Sequence, residues 1–379
     1  MKYTVAHTMD EVERLVPPSL VGPAAWARAR TAAERLPAAL AGAFYLECRL
    51  AATEAPVDWI VRVDEPGREV LAGRNPRVAL PPALRADGPW ARLARFAAAW
   101  ADDPDLRRTV QLLWLELDLD AEGDLPHPSV FAALDPRGVA GFATADWTAL
   151  LDRLLEYLGP DPASPATRRA LHAALAERPP EGRPPPFPGA GEWPVVPYVG
   201  FMLARPVPAV RLYLARTPAA ELPARLRAMG WPGAPGELDA LLRRLDGPTP
   251  GVAPAIGMSH LDVHDGSVLP RVGMEFTFER ARQVRGTLAE AAFLDRLVAL
   301  GLCTGAKRRG LLSWPGHSLQ TLRHELWRSV LSRRVNCVKL VHEPGRAPHA
   351  KGYLLTYWAA AAAARAAAAH ARASPGSME

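Results

Sequence analysis

The chain has 379 residues, 49% hydrophobic and 22% charged, a composition that excludes a disordered protein and suits one large domain or two ordinary ones. A formal charge of +5 would suit an anionic partner, but the arginines are dispersed beside Asp and Glu. Lys307-Arg308-Arg309 is the only run of three, so nucleic acid is not expected as a partner.

The three cysteines, Cys48, Cys303 and Cys337, contain no CxxC pair, so neither a disulfide framework nor a zinc motif is indicated. The start, MKYTVAHTMDEVERLV, carries charges where a signal peptide would be apolar, and no apolar run reaches the roughly 20 residues of a membrane span. A cytoplasmic protein is expected, with no membrane partner.

Pro23 to Ala41 is rich in Ala, Leu and Arg and reads as a helix. Phe44 to Ala52 and Val57 to Asp64 alternate as the two strands of a hairpin, after which Glu65-Pro66-Gly67-Arg68 reads as a turn. Trp90, Leu93, Phe96 and Trp100 recur at helical spacing and place a buried face on a helix over Pro89 to Ala101.

Val110 to Asp120 is a regular strand with Leu113, Leu115, Leu117 and Leu119 on one side and Trp114, Glu116, Asp118 and Asp120 on the other. Three carboxylates in a row invite a metal, but no histidine stands near them in sequence, and a solvated face explains them as simply. Helices are expected over Asp146 to Leu158 and Ala166 to Ala176.

The run ERPPEGRPPPFPGAGEWPVVP holds neither helix nor central strand, because proline removes donors and restricts its neighbours. It divides the chain into an N-terminal half (1–178), a Pro-rich linker (179–197), a C-terminal half (198–373) and a frayed tail (374–379). Strands at Tyr198 to Ala204 and Val210 to Arg216 precede helices near Ala219 to Met229 and Gly236 to Leu245.

The stretch MSHLDVHDGSVLPRVGMEFTFE then forms a hairpin around Asp265-Gly266, a dipeptide that tolerates positive φ. Helical stretches at Leu288 to Leu300, Lys307 to Leu312 and Leu319 to Val330 are followed by strands Asn336 to Val341 and Lys351 to Trp358. An alanine helix is expected over Ala359 to Ala373. The class is α+β: antiparallel β-hairpins and sheets packed with helices, in two similar halves.

Neither GxGxxG nor GxxxxGK[ST] is present, which excludes the usual nucleotide-binding loops, and no GxSxG elbow marks a nucleophile. No cofactor is expected. His260, Asp262 and His264 share one face of a strand and are ligand types for iron or zinc; same-face neighbours lie about 7 Å apart, so a solvent-facing row is the other reading. His317 and His324 stand near a helix start without catalytic context. Lys339, His342, Arg346, His349, Lys351 and Tyr353 surround a Pro-Gly turn and form the best basic surface.

The segments AVRLYLARTPAAELPARLRAMGW, HLDVHDGSVLPRVGMEFTFE, LCTGAKRRGLLSWPG and CVKLVHEPGRAPHAKGYL together resemble uncharacterised bacterial proteins linked to ribosomally synthesised, modified peptide (RiPP) pathways. The chain is similar to the peptide-binding proteins of crocagin biosynthesis. That resemblance implies a non-catalytic homodimer that binds a precursor (leader) peptide and assists the pathway's modifying enzymes. The peptide would add as a strand at a sheet edge, with Lys339, Val341, Arg346, Lys351 and Tyr353 as its binding residues. The alternative is a metal-dependent peptide-modifying enzyme using His260, Asp262 and His264.

Overall fold

A computed structural model describes residues 4–40, 42–52, 57–78, 80–82, 84, 88–119, 125–159, 164–176, 196–215, 217–247, 252–278, 291–321 and 328–360. Its elements fall into a repeating order. Helices α1 (Val5–Glu13) and α2 (Pro23–Glu34) precede strands β1 (Ala43–Arg49) and β2 (Val57–Val63); α3 (Glu65–Leu71), α4 (Gly88–Asp102) and the short α5 (Pro104–Thr109) precede β3 (Val110–Leu117) and β4 (Pro128–Leu134). Next come α6 (Thr144–Leu158) and α7 (Pro165–Ala176) with β5 (Tyr198–Phe201) and β6 (Val210–Ala215), then α8 (Leu222–Ala228) and α9 (Pro235–Asp246) with β7 (Ile256–His264) and β8 (Ser267–Thr277). The last group is α10 (Ala291–Ala299), α11 (Gly305–Ser313), β9 (Gly316–Thr321), β10 (Arg328–His342) and β11 (His349–Ala360). Where two similar halves were expected, the described residues read as five successive groups, each of two or three helices followed by two or three strands.

The strands make one antiparallel sheet in the order β11-β1-β2-β3-β4-β5-β6-β7-β8-β10-β9, and a further β10–β11 pairing closes ten of them into a barrel. Closure joins the first strand to the last, with Cys48 opposite Gly352, and β4 to β5 across residues 135–197. β9 lies outside the ring, paired to the first part of β10. The α+β class therefore holds, with its hairpins curled into a closed wall.

Each barrel strand shows two faces, because side chains alternate. On β1, Phe44, Leu46 and Cys48 point outward; on β2, Trp59, Val61 and Val63; on β3, Leu113, Leu115 and Leu117. These join Trp26, Leu93, Phe96, Trp100, Leu151, Leu154, Leu238 and Leu297 of the helices in one continuous hydrophobic layer. Each such side chain, fully buried, contributes about 1.5–3 kcal/mol of transfer free energy. The core is thus a sleeve between wall and helices, and what points into the lumen is what the helices do not need.

Asp265 (φ 43°) and Gly266 (φ 73°) form the left-handed pair that a tight two-residue hairpin turn requires. Gly266→Ala is expected to cost about 1 kcal/mol in urea denaturation, with no change in the lumen.

Three local expectations are corrected. Glu65-Pro66-Gly67-Arg68 begins helix α3 rather than a turn, since Pro66 in the first turn is pre-set for helix. The helix expected over Leu319 to Val330 is replaced at both ends by strand, β9 and the start of β10, where pairing with a neighbour overrides helical propensity; residues 322–327 lie outside the described residues. Ala359 and Ala360 end β11, and the remainder of the expected alanine helix lies outside the described residues. Among the described residues, no helix is long and apolar enough to cross a membrane.

Candidate active site in the barrel lumen

The inward faces carry an unusual concentration of charge and aromatic rings. A cavity of about 360 Å³ occupies one end, walled by Tyr45, Trp114, Tyr198, Met258 and Tyr357, with Arg62 and Arg334 also lining it. It shares Tyr45, Trp114, Tyr198 and Met258 with a smaller space of about 80 Å³, which Glu116, Phe131, Tyr213, Glu275 and Tyr353 also line. The rings support one another: Tyr45 and Trp114 lie 4.7 Å apart between centroids, Tyr198 and Tyr213 5.5 Å.

Beyond these rings lies a layer of buried ions. The guanidinium of Arg211 donates twice to Asp262, from Nε to Oδ1 at 2.6 Å and from Nη2 to Oδ2 at 2.8 Å. Its remaining Nη1 is buried and makes no hydrogen bond of normal geometry. Burial opposes the charge on Asp262, but Arg211 outweighs it and lowers the pKa. Arg205 donates to Glu116 at 2.9 Å. Lys351 donates to Glu47 and lies 3.7 Å from Asp58. Burial also opposes the charge on Glu47, yet Lys351 and Lys339 hold its pKa below the usual carboxylate range, while burial and the neighbouring Glu47 push Asp58 up to about 8.

Lys339 and His260 also have unspent capacity. Lys339 Nζ donates to the Tyr353 hydroxyl at 3.1 Å and lies 5.6 Å from that ring's centroid. Burial, aided by Arg211, lowers its pKa to about 8. The His260 ring packs 4.8 Å from Tyr213, and its Nε2 is buried without a partner. Burial, Lys339 and Arg211 hold this imidazole neutral well below its ordinary pKa. Gly273, opposite His260 on β8, makes room for the ring, since a Cβ there would stand 2.0 Å from Nε2.

The lysine gives a pH prediction. Its folded pKa lies below the unfolded value of 10.5, so its ammonium costs stability below about pH 8, and the cost fades as pH rises toward 10.5. Lys339→Met is expected to stabilise the fold at pH 7, by up to on the order of 3 kcal/mol, and to gain less at pH 10. Denaturant titrations at the two pH values check the sign.

The sequence-derived sites are redistributed. Lys339, Lys351 and Tyr353 line the lumen and are buried, as is Val341, whereas Arg346 is exposed and paired with Glu343. No edge remains on their strands: β10 is bonded to β11 on one side and to β9 and then β8 on the other, and β11 lies between β10 and β1. Sheet-edge capture of a peptide there has no free backbone to use. Of the row His260, Asp262 and His264, Asp262 is bound by Arg211, and half-buried His264 contacts the Pro208 carbonyl through Nδ1. Their ligand atoms are not brought together; among the described residues the one acidic or histidine group so gathered is Asp58, Glu116 and Asp118. His317 is bonded to Ser332, and His324 lies outside the described residues.

Sequence reasoning passed over Tyr45, Glu47, Asp58, Arg211 and Tyr213. Their signal was available: strand after strand set a charged residue beside an aromatic one on its polar face, and such rings are poorly suited to water.

No family model and no curated protein matches the chain. Solved structures do match. The apo form of prenyltransferase PriB is 16% identical, with 92% of this chain and 94% of that chain covered and a TM-score of 0.46. PriB with product diphosphate is 17% identical, with 93% and 96% covered and a TM-score of 0.48. A 6-dimethylallyltryptophan synthase from Micromonospora olivasterospora, in complex with DMASPP and Trp, is 16% identical, with 92% and 94% covered and a TM-score of 0.43. The non-catalytic sheet-edge binding of a RiPP precursor peptide expected from the sequence is corrected by the closed barrel, in which β10 and β11 have neighbours on both sides, and the matching solved structures are named as enzymes.

Proposed function

We propose that this chain is an enzyme that transfers an allylic (prenyl) group from its diphosphate ester to an electron-rich aromatic acceptor inside the barrel. The observation that carries this reading is the juxtaposition, inside one ring of strands, of buried donors with unspent capacity and a chamber walled by aromatic rings. Arg211 Nη1 and the Lys339 ammonium supply the positive field for a diphosphate, with His260 beside them. Tyr45, Trp114, Tyr198, Tyr213 and Phe131 surround the space next to it.

The chemistry follows from those parts. The allylic C–O bond breaks and its electron pair leaves with the diphosphate, which the cations stabilise. The positive charge left on the allyl group faces ring π-systems, each worth about 0.5–2 kcal/mol to a desolvated cation. The acceptor carbon supplies the electron pair of the new C–C bond, and the displaced ring proton passes to a carboxylate. Glu275 suits that role: it lines the inner space, and burial raises its pKa toward that of a useful general base despite the opposing pull of Lys339. Exclusion of water by the closed wall protects the allylic cation from hydrolysis.

The test is incubation of the purified protein with dimethylallyl diphosphate and a panel of aromatic acceptors that includes tryptophan. Release of inorganic diphosphate together with a product heavier by one C5H8 unit is expected, lost in Lys339→Met. Recovery of both reagents unchanged across the panel, with longer allylic diphosphates also inert, would overturn the proposal.

A further inference from the structure

Two arginines line the larger cavity, Arg62 on β2 and Arg334 on β10. Between those strands the wall runs through β1 and β11, so their backbones are three strand spacings apart, about 14 Å. Ala43 and Tyr357, paired in register on the two intervening strands, also line the cavity. The small Ala43 leaves space between the guanidinium arms. Both arginines are under-used as donors, since Nε of each is buried without a hydrogen bond. Arg62 contacts Asp64 at 3.2 Å through Nη2. Arg334, 5.1 Å from the Tyr357 ring centroid, has no ion pair among the described residues.

The lining of this cavity holds no Asp or Glu among the described residues, whereas Glu116 and Glu275 line the smaller space. The larger cavity therefore has a positive end and no negative one. Register sets how far that end lies from Lys339. Arg334 stands opposite Leu355 and Lys339 opposite Lys351, four residues apart on β11, which is about 13 Å along the strand. Tyr45, Trp114 and Tyr198 belong to both spaces and bridge them with aromatic surface. A ligand that follows this order of groups has an anion at one end and a flat ring system next to it.

We infer that Arg62 and Arg334 hold the carboxylate of the aromatic acceptor, and that this acceptor is an aromatic carboxylic acid without an α-amino group. The inference rests on the transferase reading for the fate of the bound acid. A planar guanidinium presents paired N–H donors that match a carboxylate. The ammonium of an amino acid would instead stand beside two like charges, with no carboxylate in the cavity lining to pair with it. A cation taken from water without a partner binds poorly.

The test is calorimetric titration of the full chain, without any allylic diphosphate, with two matched pairs: indole-3-propionate against tryptophan, and 3-(4-hydroxyphenyl)propionate against tyrosine. At least one acid is expected to bind saturably and at least about tenfold more tightly than its amino acid. Arg334→Met and Arg62→Met should each weaken that acid at least about tenfold and leave the affinity for inorganic diphosphate unchanged. Four results would overturn the inference: an amino acid bound as tightly as its matched acid, no saturable heat from either acid up to millimolar concentration, acid affinity unchanged in Arg334→Met, or diphosphate weakened as much as the acid. Arg334→Met strands no ion-pair partner, and Arg62→Met decides the matter if that variant does not fold. Acid binding without transfer would sink the transferase reading alone, and transfer to tryptophan in preference to indole-3-propionate would sink this inference alone.

Discussion

Arg211→Met is expected to destabilise the protein by about 3–5 kcal/mol and to abolish binding of inorganic diphosphate. The stability loss comes from what is left behind: Asp262 is buried, both its oxygens are committed to Arg211, and removal of the guanidinium strands a carboxylate away from water. The loss should shrink at acid pH, where Asp262 can take a proton instead. Arg211→Met combined with Asp262→Leu removes the pair together and is expected to recover most of the stability, since a buried ion pair contributes little beyond an apolar pair of similar volume. Ligand binding should not return. Urea titration with diphosphate calorimetry separates the two effects; a single variant within 1 kcal/mol of wild type would mean that Asp262 finds another partner.

Gly273→Ala is the second large effect. The added Cβ would stand 2.0 Å from Nε2 and 2.1 Å from Cε1 of His260, well inside contact distance. The imidazole cannot retreat freely, because Tyr213 packs on it. We expect a loss of at least 1–3 kcal/mol, the range for overpacking, together with loss of the proposed diphosphate binding as His260 is displaced. Adding His260→Ala should restore stability by removing the obstruction, without restoring binding. Thermal melts of the single and double variants read this directly. A neutral Gly273→Ala would show that the ring has a second rotamer to occupy.

Local order was legible in the sequence wherever one face of an element faced the hydrophobic sleeve. Leu113, Leu115 and Leu117 declared β3, Trp90, Leu93, Phe96 and Trp100 declared α4, and Asp265-Gly266 declared the β7–β8 turn. The opposite face misled for a physical reason. Alternation says that Glu116, Asp262 and Lys339 leave the apolar layer, but not whether they enter water or a lumen, and the two differ only through pairings hundreds of residues apart. Lys339 and Lys351 thus read as a basic surface when they are neighbours inside the wall, in direct register across β10 and β11. The β9 segment failed differently: GHSLQT shows no strand signal strong enough to outweigh the helical composition that follows, and its pairing with β10 decides the matter.

Joining β1 to β11 also sets a schedule for synthesis. Cys48 hydrogen-bonds to Gly352, 304 residues later in the chain. At about 5–20 residues per second, the ribosome needs roughly 15–60 s between the two. For that time the first strand has its neighbour on one side only, and the carboxylate of Glu47 waits for Lys351. A nascent chain in this condition offers an unpaired strand to other nascent chains, so crowded polysomes and slow codons late in the message should lower the yield of native protein more than changes in the early helices do.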